Sequence, residues 1–211
     1  MAYIASAFTA GQTLTAASME DLRGNANAGH NVFTNEAARD AAITAPTEGM
    51  MAYLTAPTVP AATGATTAVP TGITTIYNGS AWVCVTPVGG SSQTSGTTTS
   101  TSFVTTLTGD GTAISTTLAT GTTAFVSFSV TCNVNTAAQV ISNISVSGAT
   151  TLAAATATGT YVGVASANIT VTRTQILTGL TAGTNTFTLN YLTQGGTATF
   201  VNRALVVQGI A

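Results

Sequence analysis

The sequence predicts a mainly β protein with an N-terminal arm and short helices, a β-hairpin module, and a C-terminal jelly-roll β-sandwich. Three observations support this fold class. The 211-residue chain is rich in threonine, valine and glycine, residue types that favour strands and turns. Several segments alternate apolar and polar side chains with the period of two typical of strands. Past residue 103, such segments follow one another closely without a helical pattern, which indicates a sandwich or jelly roll.

The composition limits the classes of function. Charged residues make up 5% of the chain, and no lysine is present. Ordinary globular domains contain about 25% charged residues, so we expect much of this surface to be buried in an assembly. Four arginines cannot form the basic stripe that nucleic-acid binding requires. No apolar run reaches the roughly 18 residues of a membrane span, so we expect no membrane insertion.

Residues 1–33 are predicted to form an extended arm and a short helix. Thr15 can cap a helix that runs to Arg23. A helix this short does not fold alone, so we interpret the segment as an anchor that docks on a larger particle. The docking side chains are expected to be the large apolar ones, namely Phe8, Leu14, Met19 and Leu22.

Residues 34–86 are predicted to form a helix plus β-hairpin module. Segment 34–43 has a helical composition and 50–54 is a short strand, after which 55–72 is expected to be a loop. Two β-rich runs, 73–77 and 80–85, flank Asn78 and Gly79, the strongest short-range hairpin signal. We expect Tyr77 and Trp82 to be core or interface aromatics. A platform on which sugars stack is the alternative for this aromatic pair.

Residues 87–102 are rich in Gly, Ser and Thr, which predicts a linker to a head domain at 103–211. Segment 123–134 alternates strictly and is the clearest strand of that head. With a constant period of two, the last strand, 197–208, is apolar on both faces. Both faces must then be covered by other parts of the protein or by a partner. We expect a neighbouring subunit to cover one of these two faces. The side chains assigned to this subunit interface are Val201, Leu205 and Val207, and the opposite face with Phe200 and Val206 is the alternative.

No set of catalytic or cofactor-binding residues stands out. His30 is the single histidine and has no acidic residue near it that would make it a base or metal ligand. The chain also lacks a nucleophile elbow, a P-loop and a dinucleotide fingerprint, so we expect no enzyme activity and no cofactor. Arg173 and Arg203 lie on predicted strands, and Asp110 is the single acidic residue past position 87. They form either a structural ion pair or a ligand site, because an arginine in so uncharged a domain needs a partner.

Two parts of the chain resemble known proteins. The runs EAARDAAI at 36–43, PTEGMMAYL at 46–54 and IYNGSAWV at 76–83 resemble a module recurrent in structural proteins of tailed bacteriophages, especially of phages that infect actinobacteria. The run FTAGQTLTA at 8–16 is similar to the N-terminal segment of such proteins. Residues 179–208 resemble the end of jelly-roll heads on phage fibres, which are similar to trimeric tumour-necrosis-factor and C1q heads. The family joins its two module strands by a short turn, so the inserted segment 55–72 is a departure.

The resemblance implies a non-enzymatic virion structural protein, assembled in the host cytoplasm and exposed on the virion surface. It would be a homotrimer docked by its N-terminal segment on the major capsid or tail protein, as a capsid decoration or head fibre. Residues 34–86 would be its trimerisation module, and the trimer interface would contain Tyr77, Trp82, Val201, Leu205 and Val207. The alternative is a minor tail protein or tail fibre whose jelly-roll head binds host-surface glycan. Either position on the particle is compatible with the resemblance.

Overall fold

A computed structural model describes residues 31–136, 138–163 and 166–211 of the protein. Four expected docking residues, together with His30, lie outside the described residues: Phe8, Leu14, Met19 and Leu22. Their assignment to a particle contact therefore stays a prediction.

The described residues form fifteen strands and one α-helix, with a single 3-10 turn at Thr156–Thr158. The prediction of a mainly β protein built as a β-sandwich is confirmed. In chain order the elements are β1 Asn31–Phe33, α1 Glu36–Ala42, β2 Met51–Leu54, β3 Ala61–Thr63, β4 Thr66–Ala68, β5 Ile73–Tyr77, β6 Trp82–Cys84, β7 Val88–Ser92, β8 Gly96–Thr98, β9 Ser115–Thr120, β10 Thr123–Val134, β11 Val140–Gly148, β12 Thr160–Val162, β13 Ile169–Thr178, β14 Gly183–Thr193 and β15 Ala198–Ile210.

Eight of the strands form a sandwich of two antiparallel sheets. One sheet has the order β7-β15-β10-β13, and the other has the order β9-β14-β11-β12. Among these eight strands the chain passes from one sheet to the other at every step except β11 to β12, which gives the double Greek key of a jelly roll. Alternate side chains of each sheet fill the space between them, so residues such as Phe128, Leu189 and Leu205 are fully buried.

The jelly roll begins before residue 103. Strands β7 and β8 lie inside the segment 87–102 and both pair with β15, so the prediction of a linker there is wrong. Glycine suits a linker, but it also suits a strand against which another backbone packs closely. Gly90 is such a position, because a Cβ atom there would collide with the carbonyl oxygen of Thr63. Residues 103–108, at the start of the predicted head domain, make only isolated bridges, such as Val104 with Tyr191.

Segment 55–72, here called the strap, is not the expected loop. Its strand β3 pairs with β9 at the edge of one sheet, and its strand β4 pairs with β7 at the edge of the other. The strap also contacts α1, since the Glu36 carboxylate accepts hydrogen bonds from the Thr58 amide and hydroxyl at 3.0 and 2.8 Å and from the Val59 amide at 3.0 Å. The strap therefore joins the hairpin module to both sheets of the sandwich.

The hairpin module is a four-stranded sheet, β1-β2-β5-β6, covered on one face by α1. The predicted helix and hairpin are both present. Asn35 caps the helix, because its side-chain oxygen accepts a hydrogen bond from the Ala38 amide at 3.0 Å. Asn78 closes the hairpin, because its side-chain oxygen accepts a hydrogen bond from the Ala81 amide at 2.9 Å. Strand β1 pairs in parallel with β2, so residues 31–33 belong to this module and not to the N-terminal arm.

A β-bulge in β15 reverses which residues face the core. Thr131 pairs with Val201 and Ser129 pairs with Ala204, so two residues of β15, Asn202 and Arg203, lie opposite one residue of β10. Before the bulge even-numbered residues such as Phe200 point inward, and after it odd-numbered residues do. The assumption of a constant period of two was therefore wrong. Leu205 and Val207 are buried in the core of a single chain and cannot contact a neighbouring subunit.

Candidate functional site

A buried polar cluster surrounds Arg203. The bulge directs this side chain between the two sheets, where it is fully buried. Its Nη2 donates to Asp110 Oδ2 and, at 3.3 Å, to the carbonyl oxygen of Thr94, while its Nη1 donates to the Tyr191 hydroxyl at 3.4 Å. Ser92 Oγ donates to the same Asp110 oxygen at 2.5 Å. Arg203 Nε has no partner among the described residues.

The electrostatics of this cluster favour one charged pair. Burial alone would raise the pKa of the Asp110 carboxyl, but the hydrogen bonds from Ser92 and Thr112 and the charge of Arg203 outweigh it and hold that pKa below its usual range. Burial raises the pKa of Tyr191 to about 12, so its phenol stays neutral. Of the two alternatives for Asp110 and Arg203, the structure contains the ion pair. A fully buried guanidinium presents no donor to an outside ligand.

Arg173 lies apart from this cluster. It is half-buried on the edge strand β13, in register with Phe128 of β10. Its Nε donates to Gln175 Oε1 at 3.0 Å, and its Nη1 donates to the Gly159 carbonyl oxygen at 3.4 Å. The structure therefore does not bring Arg173 and Asp110 together, and Arg173 acts as a clamp between β13 and the turn before β12.

The aromatic pair of the hairpin packs against α1. The Arg39 guanidinium lies 4.5 Å from the centre of the Trp82 ring, and Tyr77 meets that ring edge-on with centres 5.5 Å apart. Arg39 is itself buried and donates to Asp40 Oδ1 at 2.8 Å. One face of Trp82 is thus occupied by its own chain. Tyr77 and Trp82 stay half-buried, and their role at a trimer interface remains a prediction.

The two cysteines are buried free thiols. Burial raises the pKa of Cys84, and it raises the pKa of Cys132 to about 11, so both thiols are unreactive while the protein is folded. In the part of the chain that the structure describes, no three His, Cys, Asp or Glu side chains come together as a metal site. The described helical segments are all too short to cross a membrane.

The outer faces of the two jelly-roll sheets differ in how they are covered. On the sheet that contains β11 and β14, the outward side chains of Ile141 and Leu192 are buried. Residues 149–159 cover this face, and Asn143 Nδ2 donates to the Ala155 carbonyl oxygen there at 2.7 Å. The other sheet has no comparable cover among the described residues. We call its outer surface the open face. It consists of Thr170, Thr172, Thr174, Ile176, Phe125, Ser127, Ser129, Thr131, Val201, Ala204, Val206, Gly89, Ser91, Thr66 and Ala68.

The open face combines paired hydroxyl groups with apolar side chains and has no ionisable residue. Thr131 and Thr170 lie 2.8 Å apart, oxygen to oxygen, and Ser127 and Thr174 lie 3.0 Å apart. Ile176 is 63% exposed and Val206 39% exposed. A shallow apolar depression of about 180 Å³ lies beside Val206, because Gly89 has no side chain to fill the space between β15 and β4.

Comparisons with known proteins give little information on function. No protein-family profile matches the chain, and no curated protein sequence matches it. Nine chains of solved structures match. One of them is the Clostridium thermocellum endo-1,4-beta-D-xylanase 10B structure of CBM22-1 and GH10 modules complexed with xylohexaose. It is 11% identical with a TM-score of 0.31, over 57% of this chain and 27% of that chain. A likeness at this level supports no argument about function.

Sequence reasoning missed three members of the buried cluster. Ser92 and Thr94 lie in the segment interpreted as a linker, and Tyr191 was not among the candidate residues. A usable signal was present in β15, where Asn202 and Arg203 interrupt an apolar strand. Asparagine tolerates the left-handed conformation that bulges use, so this dipeptide indicated both the bulge and an inward arginine.

Proposed function

We propose that this chain is a non-enzymatic structural protein of a bacteriophage virion. In this proposal it forms a homotrimer on the particle surface, as a capsid decoration or head fibre, and assembles in the host cytoplasm. Its N-terminal segment docks on the major capsid or tail protein. The observation that supports an assembling protein most directly is the open face, which is uncharged, partly apolar and left uncovered by the residues that the structure describes.

An open face of this kind favours a permanent subunit contact. Contiguous exposed apolar patches mark interaction sites, and obligate interfaces are poor in charge at their centres. The strap adds a second argument, because it joins the module to both sheets. A docking element on the module side would therefore hold the jelly roll in a fixed orientation.

Incorporation into particles tests the docking role. Replacing Phe8, Leu14, Met19 and Leu22 together by serine should abolish incorporation, because the expected contact is apolar. The oligomeric state in solution should not change. A matched control replaces four polar residues of the same segment, Thr9, Gln12, Thr13 and Ser18, by alanine. Unchanged incorporation of the apolar variant would refute the anchor.

A tail protein whose head binds host-surface glycan is the alternative. The half-buried pair Tyr77 and Trp82 is the feature that favours it, since aromatic rings stack on sugars. The Arg39 contact leaves at most one face of Trp82 for such stacking. Binding of purified protein to host cell-wall polysaccharide, lost in Trp82→Ala, would favour this alternative over a decoration protein.

A further inference from the structure

We propose that the open face binds a second copy of this chain, with Ile176 of one copy entering the depression beside Val206 of the next. This inference rests on the proposed function, because it names the surface through which the proposed homotrimer assembles. It replaces Leu205 and Val207, which belong to the core, as interface residues. Val201 keeps its predicted place, since it lies on the open face.

Ile176 is the protruding element of this contact. It is more exposed than the other large hydrophobic side chains of the described residues. It lies on β13, which among the described strands pairs only with β10 and so forms an edge of its sheet. Its cross-strand neighbour on the open face is Phe125, so the two side chains form an apolar ridge. Exposing such a ridge to water is unfavourable by about 25 cal/mol per Å² of apolar area, and a partner that covers it is stabilising.

The depression is the receiving element. In one row across the sheet, Val206 pairs with Gly89 and Gly89 pairs with Ala68. The missing side chain at Gly89 leaves a hollow with almost wholly apolar walls and a volume of about 180 Å³, enough for an aliphatic side chain. The close approach of β15 keeps this position small, because a Cβ atom on Gly89 would collide with the Leu205 carbonyl oxygen.

The chemistry of the whole face favours a second copy as the occupant. No residue of the open face is ionisable, so two copies meet without like-charge repulsion and without burying an unpaired charge. Strands about 4.8 Å apart with a rise of about 3.3 Å per residue give this face a plan area of roughly 600 Å². Each partner in an interface of standard size buries roughly 800 Å². A ring divides this face between two neighbours, so each contact takes about 300 Å² from the face and needs further area from the elements beside it.

The positions of the two elements define the symmetry. Ile176 on β13 and the depression at β7 and β4 are separated by two intervening strands, or roughly 14 Å. A contact that joins two different patches is heterologous, and it closes into a ring when the rotation between copies permits. A homotrimer is a ring of this kind.

Cysteine cross-linking of the full chain tests the contact. The double variant Ile176→Cys/Ala68→Cys should form disulfide-linked dimers and trimers under mild oxidation, because the two side chains meet across the interface. Each single variant should stay almost wholly unlinked. The pair Leu152→Cys/Ala68→Cys is the matched control, since Leu152 is exposed outside the open face. The native thiols do not interfere, because both are buried.

A second measurement uses charge at the same positions. Ile176→Asp should raise the dissociation constant of the oligomer at least tenfold in light scattering, whereas Leu152→Asp should change it less than twofold. Efficient cross-linking of Ile176→Cys alone would overturn the inference in favour of edge-to-edge pairing of β13. An oligomer that forms no cross-link in the double variant would also overturn it, as would a protein that is monomeric at micromolar concentration. Specific cross-linking without particle incorporation would support the inference and contradict the virion function.

Discussion

Asn202 determines which residues of the last strand face the core. It adopts a φ of 47°, in the left-handed region that asparagine tolerates better than most residues. The bulge that it allows turns Arg203 inward and moves Val201, Ala204 and Val206 to the open face. The conformation of this one residue thus places the arginine of the buried ion pair on the inner face and the residues of the proposed subunit contact on the outer face.

We predict that Asn202→Gly leaves stability unchanged within about 0.5 kcal/mol, whereas Asn202→Val lowers it by about 1–2 kcal/mol. A β-branched side chain is strained at positive φ, and glycine is not. Urea denaturation measures both variants. Equal stability of the valine variant and the wild type would contradict the role given to this torsion.

Asp110 is predicted to stabilise the fold at neutral pH. Asp110→Asn should lower the free energy of unfolding by about 3–5 kcal/mol at pH 7, because it leaves Arg203 buried without its counter-ion. The pKa of Asp110 is lowered in the folded state, so this contribution is complete above the unfolded value of about 3.9 and is lost as the pH falls through the folded value.

Urea denaturation of both proteins between pH 7 and pH 2 checks this sign. The difference between wild type and Asp110→Asn should stay constant down to about pH 4 and narrow below it. Replacing the exposed Glu48 by glutamine serves as the control, since it should change stability little. A difference that widens on acidification would contradict the ion pair.

At the scale of elements, the strap depends on the glycine beneath it. Gly90→Ala should displace β3, because the added Cβ collides with the Thr63 carbonyl oxygen. Hydrogen exchange of residues 61–68 should then become at least tenfold faster, while exchange in β10 and β13 stays unchanged. Gly111→Ala is the matched control, since nothing lies within 4 Å of a Cβ atom there. Equal protection of the strap in both variants would show that this contact does not hold it.

Local sequence patterns predicted the elements that are determined by interactions between residues close together in the chain. The Asn78-Gly79 turn, the helix before it and the strict alternation of 123–134 all gave elements that the structure contains. The strap and β7 were missed because their strands are stabilised by partners distant in the chain, β9 and β15. A short run of Thr, Ala and Gly shows no preference until such a partner is known. Arg203 and Asp110 of the buried cluster were predicted, because charged residues stand out in a chain with so few of them. Ser92 was not predicted, because a serine is not conspicuous in this composition.

At the scale of the whole molecule, we predict that the module and the jelly roll unfold together. Cys84 lies in the module and Cys132 in the jelly roll, and both are buried. Because the strap pairs with both sheets and contacts α1, loss of either part exposes the other. Neither thiol should react with an aromatic disulfide reagent in the native protein. Both should become reactive over the same narrow range of urea concentration.

Single-cysteine variants, Cys84→Ala and Cys132→Ala, assign the two reactions. Midpoints that differ by more than the error of the measurement would show two independent folding units. The same outcome would remove the argument that the jelly roll is held in a fixed orientation by the module.

The strap also determines how the protein responds to mechanical force. Its two strands join through the turn at Gly64, and each pairs with a different sheet. A pull between the hairpin module and the jelly roll loads the β3–β9 and β4–β7 hydrogen bonds at once, so the bonds share the load and do not break one after another. The jelly roll should therefore separate from the hairpin module at a higher force than it would if a single flexible segment joined the two.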